Sequence, residues 1–191
     1  MQKKADDEME FSPFKDFNRV KLVNKEQIDK FSDIVPIEMI EIWKEFGFGS
    51  FMNGYLKVVN PDDYFSLIKH SYTNGDRAVP LFSTAFGDVI IWENNEFLKI
   101  IMYRYGSVDV MLKGMKYFLP LLATDPDEFI NDFFTIEKYN EAISQYGQLE
   151  YDECFGYVPL LALGGEESTD KIKKVKLREH IALITELVGG V

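Results

Sequence analysis

Imidazole comes only from His70 and His180 in this sequence, and a thiol only from Cys154. These residues lie far apart in the chain. A Cys–His or Ser–His pair would therefore have to be assembled by the fold, because such constellations are defined by geometry and not by spacing. No G-x-S-x-G, H-E-x-x-H or G-x-x-x-x-G-K-[ST] motif is present, so nucleophile-elbow, zincin and P-loop chemistry have no local signature. The Gly47-Phe48-Gly49 pair follows a helical pattern and lacks the full glycine spacing of a phosphate loop. A structural zinc site needs four Cys or His ligands, and no close-spaced set exists. His70 falls near a helix end, where a cation suits the helix dipole. His180 reads as a packing or surface residue of the last helix.

The carboxylates form two clusters, Glu150, Asp152 and Glu153, then Glu166, Glu167 and Asp170. Oxygen ligands of this kind can hold Ca²⁺ or Mg²⁺, but neither cluster has the spacing of a calcium loop. Paired acids can also hydrolyse glycosides, subject to a separation that sequence does not give. Three readings stay open for these acids: a solvated rim, a protein-binding surface, and a metal or catalytic site. Aromatic residues are interleaved with them: Phe133, Phe134, Tyr139, Tyr146, Tyr151, Phe155 and Tyr157. Aromatic anchors inside a charged rim are the usual anatomy of an interface.

The charge is unevenly placed. The chain has 191 residues, 32 acidic and 21 basic, for a net −11. From Asp125 to Asp170 there are twelve acids and one base, Lys138, so this window carries −11 and the remainder is neutral. A field of that sign repels nucleic acid and anionic membranes and attracts basic partners. The 46% hydrophobic content belongs to a globular chain. A chain of this length buries about 70% of its extended surface without help from disulfides or metals. A single cysteine allows no intrachain disulfide, which fits a reducing compartment. No apolar run follows Lys3-Lys4, and no stretch nears the roughly 20 residues that span a bilayer. The expectation is a soluble cytoplasmic protein with no cofactor.

The elements that must position these residues alternate in period. A first helix is expected within Leu22 to Phe31. A second starts with Pro36 at its first position and buries Trp43, with Ile37, Ile40 and Phe46 at near-helical spacing and Gly47 as the stop. Gly47 to Tyr55 reads as a tight loop with Asn53-Gly54 as a turn. Tyr55 to Val59 reads as a strand. Asn60-Pro61-Asp62-Asp63 reads as the start of a helix to Lys69, with Asp63 completing an approximate capping box.

Strands follow at Val79–Ser83, Val89–Glu93, Phe97–Tyr103 and Val108–Leu112. Their short connections predict an antiparallel meander, with Ile90, Trp92, Leu98, Ile100 and Met102 on its buried face. Asp125 to Phe133 and Thr135 to Tyr146 read as helices, and Tyr157 to Leu163 as an extended piece. Leu177 to Val188 reads as a last helix with Leu177, Ile181, Ile184 and Val188 on one stripe. The fold class is therefore α/β (α+β), a mainly antiparallel central sheet with N-terminal and C-terminal helices packed on it.

Two stretches carry a family resemblance. Pro36, Trp43 and the run Phe46-Gly47-Phe48-Gly49-Ser50-Phe51-Met52-Asn53-Gly54-Tyr55, then Asn60-Pro61-Asp62-Asp63-Tyr64, resemble the GAD-like domain, and more broadly the SMI1/KNR4-like group. The run Tyr151-Asp152-Glu153-Cys154-Phe155-Gly156-Tyr157-Val158-Pro159-Leu160-Leu161-Ala162-Leu163-Gly164-Gly165, with Ile172 to His180, resembles the C-terminal domain of immunity proteins paired with type VI secretion DNase effectors. The expected division is 11–120 for the GAD-like domain and 121–191 for the C-terminal region.

The resemblance implies a bacterial protein that binds a cognate toxin without chemistry of its own. It supplies no catalytic residues. Gly47, Gly49, Gly54, Gly156, Gly164 and Gly165 are expected at structural turns. Charge and resemblance together place Glu150, Tyr151, Asp152, Glu153, Glu166 and Glu167 at the interface with a basic toxin, expected to be a nuclease. Two alternatives remain: an SMI1/KNR4-like regulatory or scaffold protein, and a hydrolase or metal-dependent enzyme using the clustered acids.

Overall fold

The computed structural model describes residues 13–124 and 132–191. The order of elements is β1 (Asn18–Lys21), α1 (Lys25–Phe31), α2 (Ile37–Glu45), β2 (Phe48–Phe51), β3 (Leu56–Val58), α3 (Phe65–Ser71), β4 (Ala78–Thr84), β5 (Val89–Glu93), β6 (Phe97–Met102), β7 (Ser107–Lys113), α4 (Phe118–Thr124), α5 (Ile136–Tyr146), β8 (Glu153–Tyr157), β9 (Ile172–Lys176) and α6 (Leu177–Val188). Strands β1 to β7 make one sheet in sequence order, and every neighbouring pair is antiparallel. Strands β8 and β9 form a separate two-stranded antiparallel ribbon. The mixed α/β architecture with a central antiparallel sheet is the one the sequence predicts.

Local chemistry explains most boundaries. Asn24 and Gln27 form a reciprocal capping box at the start of α1, which satisfies two backbone donors that the helix leaves free. Asn94 and Asn95 both adopt positive φ, at 57° and 55°, a left-handed conformation that asparagine tolerates better than most residues, in the three-residue connection between paired Glu93 and Phe97. The turn at Met52-Asn53-Gly54 also has positive φ throughout. The Asp16 carboxylate stabilises it by accepting from the backbone N–H of Met52 at 3.0 Å and of Asn53.

The central strands of the sheet are buried on both faces. One core holds Ile90, Trp92, Leu98 and Ile100 with Trp43, Phe82, Phe118, Tyr139 and Phe155. A second holds Val89, Ile91, Ile101 and Tyr103 with Ile68 of α3 and Leu177, Ile181 and Ile184 of α6. The predicted buried face is thus half of the story, because α3 and α6 cover the reverse side. Met102 is only partly buried.

Several expectations are corrected. The segment read as a loop from Gly47 contains β2, which pairs with β1 and β3. Gly49 disguises it: a Cβ there would lie 2.3 Å from the Asn18 carbonyl oxygen, so glycine serves close strand approach and not a turn. Pro36 is the N-cap of α2, one position earlier than expected. Asn60 caps only a short 3₁₀ turn at Pro61–Asp63, and α3 begins at Phe65. The extended piece lies at Glu153–Tyr157 instead of after Tyr157, and Leu161–Leu163 is a 3₁₀ turn. Strand β9 was hidden by its lysines. Val188 is exposed, and His180 takes the fourth buried place on α6. The helix expected from Asp125 falls on residues outside the described ones, apart from its last two positions.

Candidate functional site

The first acid cluster sits at the entry to the β8–β9 ribbon, and a buried cation organises it. Lys57 on β3 is 1% exposed. Its ammonium donates to the carbonyl of Glu150 at 3.1 Å and to that of Glu153. Burial lowers its pKa to about 8. The Glu153 carboxylate accepts from the Glu150 backbone N–H at 3.0 Å and so closes the turn. Asp152 pairs with Lys176 at 2.8 Å, and that hydrogen bond holds its carboxyl below the ordinary range. Tyr151 donates to the Val58 carbonyl at 2.8 Å, and burial pushes its phenol up. Glu150 is exposed, and among the described residues it has no ion-pair partner.

The second cluster lies at the other end of the ribbon. Opposed pairs run from Glu153↔Lys176 to Tyr157↔Ile172, four steps of about 3.3 Å, or about 13 Å in all. Glu167 accepts from the Tyr105 hydroxyl at 2.6 Å and from Lys138. Burial opposes its ionisation, but these two donors prevail, so its carboxyl lies below the usual range. The Arg104 guanidinium stacks over the rings of Phe86 and Tyr105 and pairs with buried Asp88 at 2.5 Å. A polar chain therefore runs Asp88–Arg104–Tyr105–Glu167–Lys138, from the sheet to α5.

The acids that are contiguous in sequence are divided in space. Glu150, Asp152 and Glu153 stand at one ribbon end, and Glu166 and Glu167 at the other. The acidic window also ends one residue before Lys171, and β9 brings Lys173, Lys174 and Lys176 alongside β8. The field near the first cluster is therefore mixed in sign. The expected turn glycines divide as well. Gly47, Gly54 and Gly164 have positive φ. Gly49 and Gly156 lie within strands instead of turns, and a Cβ on Gly156 would meet the His180 ring at 2.6 Å. Gly165 is held close to the Pro159 carbonyl.

The fold does bring a thiol and an imidazole near each other. A Cβ on Gly87 would lie 3.3 Å from Cys154 Sγ and 3.9 Å from His180 Cδ2. Burial pushes the thiol up to about 12 and the imidazole below its ordinary value, so both rest neutral, the reverse of an activated pair. The adjoining cavity, lined by Tyr103, Arg104, Tyr157, Leu160 and His180, has a volume of about 10 Å³, room for about one water. His70 Nδ1–H donates to the Ser66 carbonyl at 2.5 Å, within its own helix turn. Among the described residues no group of three or more His, Cys, Asp or Glu gathers at metal-binding distance. No described helix is long and apolar enough to cross a membrane.

The family description "GAD-like domain" matches residues 8–104. The chain belongs to the GAD-like domain family. Residues 112–188 match a second family, "T6SS immunity protein Tdi1, C-terminal". The GAD-like region thus ends with the β6–β7 turn, and the Tdi1-type region runs from the end of β7 through α6. Lys57, Tyr139 and Tyr151 join the two, since each bonds across from one region to the other. No curated protein matches the chain. The crystal structure of Atu4351 from Agrobacterium tumefaciens is similar in fold, with a TM-score of 0.69 at 16% identity over 91% of this chain and 87% of that one.

Sequence reasoning missed Lys57, and it named Tyr139 only among the aromatic residues of the acidic window, not as a donor to Asn53. The available signal was a lysine inside the apolar run Leu56-Lys57-Val58-Val59, a position where a solvated cation is out of place.

Proposed function

We propose that this GAD-like protein is an immunity protein that binds a cognate secreted bacterial toxin and neutralises it without chemistry of its own. The observation that carries this reading is the match of residues 112–188 to the C-terminal domain of the type VI secretion immunity protein Tdi1. The inaccessible Cys154 and the small cavity beside His180 agree with inhibition by binding. The toxin is a basic protein, a nuclease, whose substrate groove this protein covers. A net charge of −11 steers such a partner and imitates the field of a phosphate backbone. Glu150, Tyr151, Asp152, Glu153, Glu166 and Glu167 belong to the interface. Glu150 and Glu166 contribute charge not spent on internal ion pairs among the described residues, while Tyr151 offers its ring because its hydroxyl is already engaged.

The test is co-expression with the product of the neighbouring gene, scored for toxicity when expressed alone. Growth should be restored and a complex should co-purify, with association slowing as salt rises. Persistent toxicity, with no complex at low salt, would overturn the reading.

A further inference from the structure

The acidic clusters supply steering, but affinity needs a desolvated apolar centre. One apolar surface stands out on the side of α6 that borders the loop after β8. Leu183 and Leu187 are 46% and 53% exposed. They lie three and seven residues from His180, so they share its side of the helix. His180 and Ile184 in turn line the small cavity together with Leu160, Leu161 and Ala162. The same loop presents Val158 and Leu163, at 44% and 55% exposed. A run of leucines in water at two adjoining elements is costly unless something covers it.

Its surroundings are mainly acidic, although exposed Lys171 borders the loop at Val158. Glu179 and Glu186 stand on α6 next to Leu183, four residues before and three after it. Glu166 and Glu167 close the loop side, and all four are exposed. Arg178, the base on this helix, is turned away and donates to the Asp63 carbonyl at 3.2 Å. Lys138 is engaged by Glu167. The loop itself is held in place: Val158 N–H donates to the Lys171 carbonyl at 2.7 Å, and Glu167 is tied to Tyr105. The surface is therefore preformed, apolar at its centre and acidic at its rim. A second copy of this chain would bring the same acidic rim against it, and like charges at a rim oppose docking.

We infer that Leu163, Leu183 and Leu187 form the apolar centre of the docking surface for the toxin, rimmed by Glu166, Glu179 and Glu186 and fitted to a partner patch that is apolar inside and basic outside. This rests on the immunity reading above and moves the affinity-giving contacts from the ribbon entry to α6 and the loop after β8.

The experiment measures binding of the active-site-silenced effector of the adjacent gene to the full chain by biolayer interferometry. Leu183→Arg and Leu163→Arg, each checked for an unchanged melting temperature, should weaken binding about 30-fold or more, mainly through faster dissociation. Glu150→Gln with Asp152→Asn, at the ribbon entry, should slow association without speeding dissociation, and Glu41→Gln on the exposed side of α2 should leave binding unchanged. A triple variant Glu166→Gln, Glu179→Gln, Glu186→Gln should slow association and flatten its salt dependence. Wild-type binding with Leu183→Arg and Leu163→Arg inside twofold would overturn this surface and leave the immunity reading intact. No wild-type binding would overturn both. Sedimentation showing a dimer that Leu183→Arg dissolves would replace the toxin by a second copy.

Discussion

The GAD-like meander and the C-terminal ribbon are held by different forces. In the meander, strands β1 to β7 pair with their sequence neighbours, and apolar side chains fill both faces. The ribbon pairs only with itself in regular ladder fashion. Among the described residues it reaches the meander through one backbone bond, Phe155 N–H to the Ala85 carbonyl at 2.7 Å, the apolar contacts of Phe155 and Ile172, and polar side chains aimed at backbone carbonyls. Lys57 holds Glu150 and Glu153, Tyr139 holds Asn53, and Tyr151 holds Val58. The difference shows two ways to fix a surface. A ladder specifies strand order, while a few buried donors specify where a second unit docks and leave its outer face open for a partner.

The comparison can be broken first at its aromatic residues. Phe82→Ala in the meander and Phe155→Ala at the junction should each cost about 3–5 kcal/mol, because both are fully buried and a cavity remains. Urea denaturation gives the size, and hydrogen exchange gives the difference. Phe155→Ala should release protection in β8 and β9 while the meander amides stay slow. Uniform loss across both regions would show a single cooperative unit. Next, Lys57→Met keeps most of the volume but takes the ammonium from the Glu150 and Glu153 carbonyls, of which that of Glu150 keeps the Glu153 N–H, for an expected loss of about 1–3 kcal/mol. Lys113→Met, at an exposed pair with Glu96, should leave the urea midpoint unmoved.

Tyr139→Phe removes the hydroxyl that donates to the Asn53 carbonyl at 2.7 Å and should cost about 1 kcal/mol. The pH dependence is finer still. Lys57 titrates at about 8 in the folded chain against 10.5 when free. Between those values the unfolded chain holds a proton that the folded chain has lost, so this group makes stability rise with pH above about 8. The Cys154 thiol, raised by burial, opposes the trend above about 9, and the buried tyrosines, held high by desolvation, add to that opposition above about 10. Lys57→Met should flatten the rise between pH 8 and 9.5 relative to wild type, as followed by chemical denaturation at each pH. Last, Cys154, buried with its thiol pushed to about 12, should resist a thiol reagent at pH 8 until the protein unfolds.

What the sequence discloses follows the same division. The meander is legible because its signals are local: Gly87-Asp88, Asn94-Asn95 and Gly106-Ser107 punctuate apolar runs that pair with their immediate neighbours. The β8–β9 ribbon is not, because fourteen residues separate its strands and β9 is mostly lysine. The acids at 150–153 and 166–167 are visible as residues, but not their distribution to two ends of a ribbon, nor the lysines set beside them. Lys57 and Glu150 are 93 positions apart, beyond any local pattern. Leu183 and Leu187 were legible as apolar residues, yet only the packed helix shows that they face outward.

The consecutive strand order also bears on synthesis. Each strand of the meander can pair with the one before it as the chain leaves the ribosome, since no later segment is inserted between them. Lys57 and the sheet face that α6 covers must wait for the last forty or so residues. Until then a nascent chain carries a cation without its carbonyls and an uncovered apolar face. A chain cut short before the ribbon would display both to proteases, so degradation would favour the folded chain over fragments that lack the ribbon and α6.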